Sequence, residues 1–189
     1  MAQSLPKYTT FILFLFSFLL KTQSHKYSEK LSPKSLGFKT EKLTHLHFYL
    51  HDIIGGDHPT AVLVAQPPKF NTSNSVFGAT FVIDDPLTMG PDQSSKIVGR
   101  AQGMYTFASL NEFRLLMVMD FVFVKGKYNG STLSIIGLNY VPSPVREMPI
   151  VSGSGIFRFA RGYALANTHF INMTSGNAVV EYNVFVLHY

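Results

Sequence analysis

The chain has 189 residues, a formal net charge of +5 at neutral pH and no cysteine. Without cysteine it can form no disulfide, thiolate nucleophile or cysteine-ligated metal site. Its lysines and arginines are scattered rather than clustered, which gives little support to nucleic-acid binding.

The N-terminus carries an apolar run, FILFLFSFLL, over residues 11–20 after a single lysine, Lys7. This run is shorter than the roughly 20 residues that a helix needs to cross a bilayer, and the small residues Thr22 and Ser24 follow it. The layout predicts a signal peptide over residues 1–24, cleaved to give a secreted protein without membrane attachment. An uncleaved anchor is the alternative.

Three N-glycosylation sequons support export. They are Asn71-Thr72-Ser73, Asn129-Gly130-Ser131 and Asn172-Met173-Thr174. Such motifs are common by chance, but three of them behind a signal peptide in turn-like contexts favour a glycosylated protein. Glycosylation is therefore predicted at Asn71, Asn129 and Asn172.

Residues 25–42 are polar and irregular and predict a flexible N-terminal arm. Over residues 43–189, short runs rich in Val, Ile, Phe, Tyr and Thr are divided by Gly, Pro, Asn and Asp, as in strands joined by turns. Short connections imply antiparallel pairing, and a sheet with many strands closes on itself or packs against another. We therefore expect one all-β domain over residues 43–189, an eight-stranded antiparallel β-barrel that can enclose one small ligand.

The first strand places an acid among apolar side chains. In LTHLHFYLHD, Phe48, Leu50 and Asp52 share one face, because side chains alternate along a strand. A buried carboxylate is costly unless it is paired or protonated. Asp52 therefore either caps the turn that follows the strand or acts inside a cavity, and its position alone leaves both open.

Later strands also carry polar residues on apolar faces. Asp84 and Asp85 precede Pro86, where aspartates often begin a turn. Tyr105 and Phe107 share a face, which could present a phenol to the interior. These positions suit either turns and packing or the wall of a cavity.

Asn139 ends another apolar face, and Arg146 follows it. An apolar cavity that contains a few carboxyl groups, a tyrosine and an arginine suits an aromatic, weakly polar ligand. A buried carboxylic acid has a raised pKa and can donate a proton, whereas a nearby arginine opposes that shift or holds a phenolate.

Three histidines, His45, His47 and His51, share the strand face opposite Asp52. They could bind a metal, but an outward or interface-facing stripe is the preferred interpretation. The chain contains no GxSxG, HExxH or phosphate-loop motif, and nothing implies a nucleotide or redox cofactor. No metal and no cofactor are predicted.

Five segments together resemble the plant dirigent protein family. They are FYLHDIIGG followed by PTA, FGATFVIDDPLTMGPDQSSKIVGRAQGMY, YNGSTLSIIGLN, REMPIVSGSGIFRFARGYA and AVVEYNVFVLHY. The resemblance covers residues 43–189. It implies a barrel of the dirigent and allene oxide cyclase type, usually a homotrimer, secreted to the apoplast.

In the lignan branch of that family, an extracellular oxidase, a laccase or a peroxidase, makes radicals of phenylpropanoids such as coniferyl alcohol. The barrel holds two radicals for stereoselective coupling, without oxidation chemistry of its own, and assists ring closure of the quinone methide. The resemblance implies that Asp52, Tyr105 and Arg146 are the catalytic residues, with Asp52 as the acid at the quinone methide oxygen. Substrate-binding roles are predicted for Asp85, Asn139 and Phe107.

Two departures from the lignan branch bear on function. This chain has Asn139 where lignan-forming members carry an aspartate, and it lacks their terminal cysteine pair. An amide donates a hydrogen bond but transfers no proton. The chain looks more like the branch that includes pterocarpan synthases, which dehydrate an isoflavanol through a quinone methide. We therefore carry three hypotheses: a radical-coupling guide, which is preferred, a pterocarpan synthase-like lyase, and an unselective phenolic-binding or wall-structural barrel.

Overall fold

The computed structural model describes residues 27–66 and 76–189. The predicted signal peptide and Asn71 lie outside these residues. The chain divides into two units, residues 1–38 and 39–189. In the first, a short 3-10 helix spans Pro33–Leu36, and the Ser32 side chain caps its start. No helix among the described residues is long and apolar enough to cross a membrane.

The second unit is built from strands, because its sequence alternates apolar and polar residues with the period of a pleated sheet. Within the described residues it contains β1 (Lys42–Asp52), β2 (Ala61–Ala65), β3 (Thr80–Thr88), β4 (Ile97–Phe107), β5 (Arg114–Phe123), β6 (Thr132–Tyr140), β7 (Arg146–Ser154), β8 (Arg161–Ile171) and β9 (Ala178–His188).

Eight of these strands form a closed ring. Their order is β1-β9-β8-β7-β6-β5-β4-β3, and β1 pairs with β3 through Tyr49–Thr88 and Leu50–Leu87 to close it. The short β2 pairs with an earlier part of β3, where Ala61 lies opposite Ile83. All pairings are antiparallel, which confirms the predicted eight-stranded antiparallel barrel.

Glycines allow neighbouring strands of the barrel to approach closely. At Gly103 on β4, φ is +152°, and an added Cβ would lie 2.2 Å from the Val118 carbonyl oxygen on β5. A side chain would therefore force the two strands apart or strain the backbone. Close backbone approach is one of the three roles that glycine has inside a strand, beside bulges and barrel corners.

The histidine stripe is only partly as predicted. His45 and His47 are exposed on the outer surface, but His51 is 1% exposed. Its Nε2 lies 2.7 Å from the Thr88 hydroxyl, which itself donates to the Gly90 carbonyl. The expectation of an outward stripe is wrong for His51, because the connection that follows β3 packs beside it.

Candidate functional site

The barrel encloses a cavity of about 290 Å³. It lies toward the end where the chain leaves β1 and where β4–β5, β6–β7 and β8–β9 are connected, since Ile54, Phe113, Val141 and Met173 line it. Phe113 and Met173 are also exposed to solvent. This end is therefore the mouth of the cavity.

Aromatic side chains fill the opposite end of the barrel. Phe157 is fully buried, and its ring centroid lies 5.7 Å from Phe123, 5.0 Å from Tyr128 and 5.0 Å from His188. Packed aromatic clusters of this kind contribute large apolar contact areas. The mouth is therefore the open route for a ligand into the cavity.

Asp52, the last residue of β1, lies in the cavity wall. Its Oδ2 accepts a hydrogen bond from the Tyr105 hydroxyl at 3.1 Å, and its Oδ1 is buried without a hydrogen-bond partner. The Tyr105 ring stacks on Phe81, with centroids 5.1 Å apart, which holds the phenol in place. Burial raises the pKa of Asp52 to about 6, and the bond from Tyr105 acts in the opposite direction.

Asp85 lies on β3, the strand next to β1 in the ring. It is fully buried; its Oδ1 accepts from the Thr60 hydroxyl at 2.6 Å, and its Oδ2 has no partner. Burial, reinforced by the charge of Asp52, raises the pKa of Asp85 to about 8. Asp85 therefore holds its proton more firmly than Asp52 does, so the wall that these two carboxyl groups form, the acid wall, can supply a proton near neutral pH.

Tyr105 acts as a donor rather than as a base. Burial and the neighbouring carboxylates Asp52 and Asp85 raise its pKa well above the ordinary value for tyrosine. The phenol therefore keeps its proton at any pH at which the protein works, and it stabilises the ionised form of Asp52.

The remaining polar wall is formed by Asn139 on β6 and Arg146 on β7. Arg146 is 4% exposed; its Nε donates to the Asn139 Oδ1 at 3.0 Å, and its Nη1 donates to the Ser143 carbonyl at 3.4 Å. Both partners are neutral, and no carboxylate of the described residues pairs with Arg146. Burial lowers the pKa of Arg146, with the Tyr182 phenol acting in the opposite direction.

The two polar walls face each other across the barrel. In the ring order, β1 is four strands from β6, and β3 is four strands from β7. In a ring of eight this places Asp52 opposite Asn139 and Asp85 opposite Arg146. A ligand held between them meets proton donors on one side and an uncompensated cation on the other.

All six residues predicted to act on substrate line this one cavity. They are Asp52, Asp85, Tyr105, Phe107, Asn139 and Arg146. Of the sequon residues, Asn129 lies in the β5–β6 connection, at the end of the barrel away from the mouth. Asn172 lies in the β8–β9 connection and lines the mouth.

Several residues of the site were not predicted from the sequence, among them Thr60, Met117 and Tyr182. Thr60 fixes Asp85 from the segment before β2, and Met117 and Tyr182 line the cavity. Strand alternation could have found the last two, because Met117 shares a face with Met119 on β5, and Tyr182 shares a face with Val184 on β9. Thr60 has no such signal, since it lies outside a strand.

No group of three or more His, Asp or Glu side chains within residues 27–66 and 76–189 is placed to share a metal ion. Of such side chains, only Asp52 and Asp85 line the described cavity wall, whereas His51 faces Thr88 on the other side of the strand.

Comparison with known proteins gives consistent matches. The family model for dirigent-like proteins matches residues 43–187. Dirigent protein 21 from Arabidopsis thaliana is 54% identical over 167 residues, 88% of each chain. Pterocarpan synthase 1 from Glycyrrhiza echinata is 49% identical over 188 residues, which cover 98% of this chain and all of that protein. The solved structure of the pterocarpan synthase dirigent protein GePTS1 superposes with a TM-score of 0.79 at 52% identity, covering 86% of this chain and 99% of that one.

Proposed function

Because the chain belongs to the dirigent family, we propose that its barrel directs quinone methide chemistry of a phenolic substrate, and that it acts as a pterocarpan synthase-like lyase. The proposed substrate is an isoflavanol that carries a benzylic hydroxyl and a neighbouring phenol. This choice reverses the order of the two leading hypotheses drawn from the sequence. It is supported by the identity to a pterocarpan synthase over nearly the full length of both chains.

One observation carries the proposal. Two carboxyl groups, Asp52 and Asp85, have pKa values raised to about 6 and about 8, and each has one buried oxygen without a hydrogen-bond partner. Opposite them lies the uncompensated cation Arg146. Such a pair of walls suits a reaction that protonates a leaving hydroxyl while a phenolate forms elsewhere on the substrate.

In the proposed reaction, protonated Asp85 donates its proton to the benzylic hydroxyl, whose carbon–oxygen bond breaks to release water. The conjugated phenol releases its proton to solvent water, and its electrons form the neutral quinone methide, while Arg146 stabilises the negative charge that develops on that oxygen. The oxygen of the second phenol then bonds to the benzylic carbon, and its proton returns to Asp85. The first phenolic oxygen takes a proton back from solvent water. One water is lost, and nothing is oxidised or reduced.

The test incubates the purified protein with a racemic isoflavanol that carries the second phenol, with no oxidant, and follows the cyclised product by chiral chromatography. Enantioselective formation of product, lost in Asp85→Asn, is the expected result. Turnover that does not exceed that of a buffer control contradicts the lyase proposal.

A second candidate is the non-oxidising guide that couples phenoxy radicals, such as those of coniferyl alcohol. The observation that favours it is the presence of two separate polar walls, which could each hold one phenolic oxygen. Its partner is an extracellular laccase or peroxidase that supplies the radicals. Here a one-electron oxidant is needed, and an enantiomeric excess that appears only with the protein supports it.

Racemic products in both assays would leave the third hypothesis, a phenolic-binding or wall-structural barrel without selectivity. Dependence on the oxidant separates the first two functions, because the lyase turns over without one. Asn139 favours the lyase, since the aspartate of lignan-forming members would neutralise Arg146.

We also propose that the protein is secreted to the apoplast as a glycoprotein. The apolar N-terminal run and the sequons Asn129 and Asn172, which lie on exposed connections, support this location. After expression in a plant secretory host, an intact mass that exceeds the mass calculated for residues 25–189 is the expected result.

Finally, we propose that the barrel forms a homotrimer, as the family resemblance implies. An exposed apolar row crosses five neighbouring strands on the outer surface, with each residue directly opposite the next in the sheet register. Its members are Val62, Val82, Met104, Val118 and Ile136, and they are 39–52% exposed. A continuous exposed apolar patch of this kind favours protein–protein contact.

A further inference from the structure

The β8–β9 connection carries a glycosylation sequon at the mouth of the cavity. Asn172, Met173 and Thr174 form the motif, and both Asn172 and Met173 line the cavity. Asn129, the other described sequon residue, lies at the opposite end of the barrel. The structure thus distinguishes two motifs that are equivalent in the sequence.

The turn around Asn172 fixes the direction of its side chain. The Asn172 Oδ1 accepts hydrogen bonds from the backbone N–H of Thr174 at 2.9 Å and of Ser175 at 3.2 Å. The turn is held further by Gly176 N–H to the Asn172 carbonyl and by Asn172 N–H to the Asn177 carbonyl, both at 2.8 Å. Because the amide oxygen faces the turn, the Nδ2 on the same carbon points away from it.

We propose that Asn172 carries an N-linked glycan that narrows the mouth of the cavity and slows both entry and release of the ligand. The inference rests on the proposed secretion but not on the identity of the substrate. The Nδ2 attacks C1 of the first sugar of a polyprenyl-pyrophosphate-linked oligosaccharide. The nitrogen–C1 bond forms, the bond from C1 to the pyrophosphate oxygen breaks to release polyprenyl pyrophosphate, and the amide nitrogen loses one proton, with no change of oxidation state.

The position of Asn172 dictates how the glycan affects binding. The groups that orient a ligand, Asp52 and Arg146, lie in the strand walls, whereas Asn172 and Met173 are exposed at the rim. A sugar at the rim obstructs the path without touching the bound ligand. It therefore lowers the association and dissociation rate constants by the same factor and leaves Kd unchanged.

The chain offers a variant that removes the sequon without disturbing the turn. Thr174→Ala abolishes the motif, but the hydrogen bond to Asn172 comes from the Thr174 backbone and is retained. The matched control is Asn129→Gln, because Asn129 is exposed and only its backbone N–H bonds within the turn. Ser131→Ala is unsuitable, since the buried Ser131 hydroxyl accepts from the Ile156 N–H.

The full chain is expressed in a plant secretory host, and glycan occupancy is measured by mass spectrometry of the peptides that contain Asn129 and Asn172. Binding of the anionic dye 1-anilinonaphthalene-8-sulfonate, which suits an apolar cavity with an arginine, is then followed by stopped-flow fluorescence. The variant Ala178→Trp places a large side chain in the cavity wall and should block dye binding there. The kinetic phase that this variant abolishes is therefore assigned to the cavity, and only that phase is analysed.

The expected result is an occupied Asn172, with both rate constants raised about threefold or more in Thr174→Ala, Kd unchanged, and Asn129→Gln like the wild type. Occupied Asn129 with unoccupied Asn172 overturns the inference but leaves secretion standing. Unchanged rate constants in Thr174→Ala, or a change confined to dissociation, also overturn it. Since the dye is not a substrate, none of these outcomes depends on the proposed reaction.

Discussion

Tyr105 donates a hydrogen bond to Asp52 across 3.1 Å, linking β4 to β1 over the intervening strand β3. The contact stabilises the ionised form of Asp52, while burial stabilises the neutral form and has the larger effect. The pKa of Asp52 is therefore set by two opposing effects, and the direction in which it shifts when one of them is removed can be predicted.

We predict that Tyr105→Phe raises the pKa of Asp52 further above about 6. A hydrogen bond to a carboxylate contributes about 1.5–3 kcal/mol, which corresponds to roughly one to two pKa units. The ring can keep its stacking on Phe81, so the fold should persist. Infrared or carbon-13 NMR titration of the aspartates measures the shift. Tyr163→Phe, on the exposed outer surface, is the control, and an unshifted Asp52 in Tyr105→Phe contradicts the role of the contact.

The second prediction concerns stability. The folded-state pKa of Asp85, about 8, lies above the unfolded value of 3.8, so between these values the native state binds more protons than the unfolded state. The free energy of unfolding of the wild type therefore falls as pH rises through this window. Asp85→Asn removes that loss while its amide oxygen still accepts from Thr60, so the variant gains stability relative to wild type at high pH.

The stability of Asp85→Asn relative to the wild type should rise by up to about 1.4 kcal/mol per pH unit. Between about pH 4 and about pH 8 this adds up to a gain on the order of 2–5 kcal/mol. Urea unfolding across this range measures it. Asp84→Asn is the matched control, because Asp84 points outward to Arg100 and its pKa is lowered rather than raised. An equal pH dependence in wild type and Asp85→Asn would show that Asp85 is ionised in the native state.

Strand alternation alone placed Asp52 on the inner face, and the structure puts it there. Alternation also places Asp85 with Phe81 and Ile83, but the following Pro86 made a turn the preferred interpretation of this segment. In the structure, Asp85 lies within β3, at the point where this strand changes its pairing partner. Ile83 pairs with β2, and Leu87 pairs with β1. The missing N–H of Pro86 falls where neither strand needs a donor.

Other features of the site depend on contacts that no periodic pattern encodes. His51 occupies an outward strand position, but it is buried because the chain after Thr88 folds against it. Thr60 reaches Asp85 from a loop. That Asp85 and Arg146 lie on opposite sides of the ring follows only from the strand order, which depends on how the barrel closes.

The third prediction tests the uncompensated charge of Arg146. In Asn139→Asp, a carboxylate oxygen takes the place of the amide oxygen Oδ1, which accepts a hydrogen bond from the Arg146 Nε at 3.0 Å. The resulting ion pair neutralises the cation that stabilises the developing phenolate, so lyase turnover should fall about tenfold or more. Asn139→Ala leaves the cation unpaired and should retain activity within about threefold. The measurement is kcat with the isoflavanol. An equal loss of kcat in both variants would mean that the asparagine amide, rather than the charge of Arg146, is needed for turnover.

The last prediction concerns the apolar row on the outer surface. Met104 is its central residue, lying opposite Val82 on one side and Val118 on the other. In a homotrimer built on this row, Met104→Lys buries an unpaired charge at the interface, which costs several kcal/mol and should dissociate the assembly. The barrel itself should survive, because the side chain points outward and is 44% exposed. Leu43→Lys adds the same charge to an exposed apolar position on β1, away from the row, and should keep the wild-type mass. Light scattering coupled to size exclusion compares the variants, and a trimeric Met104→Lys would place the interface on another face of the barrel.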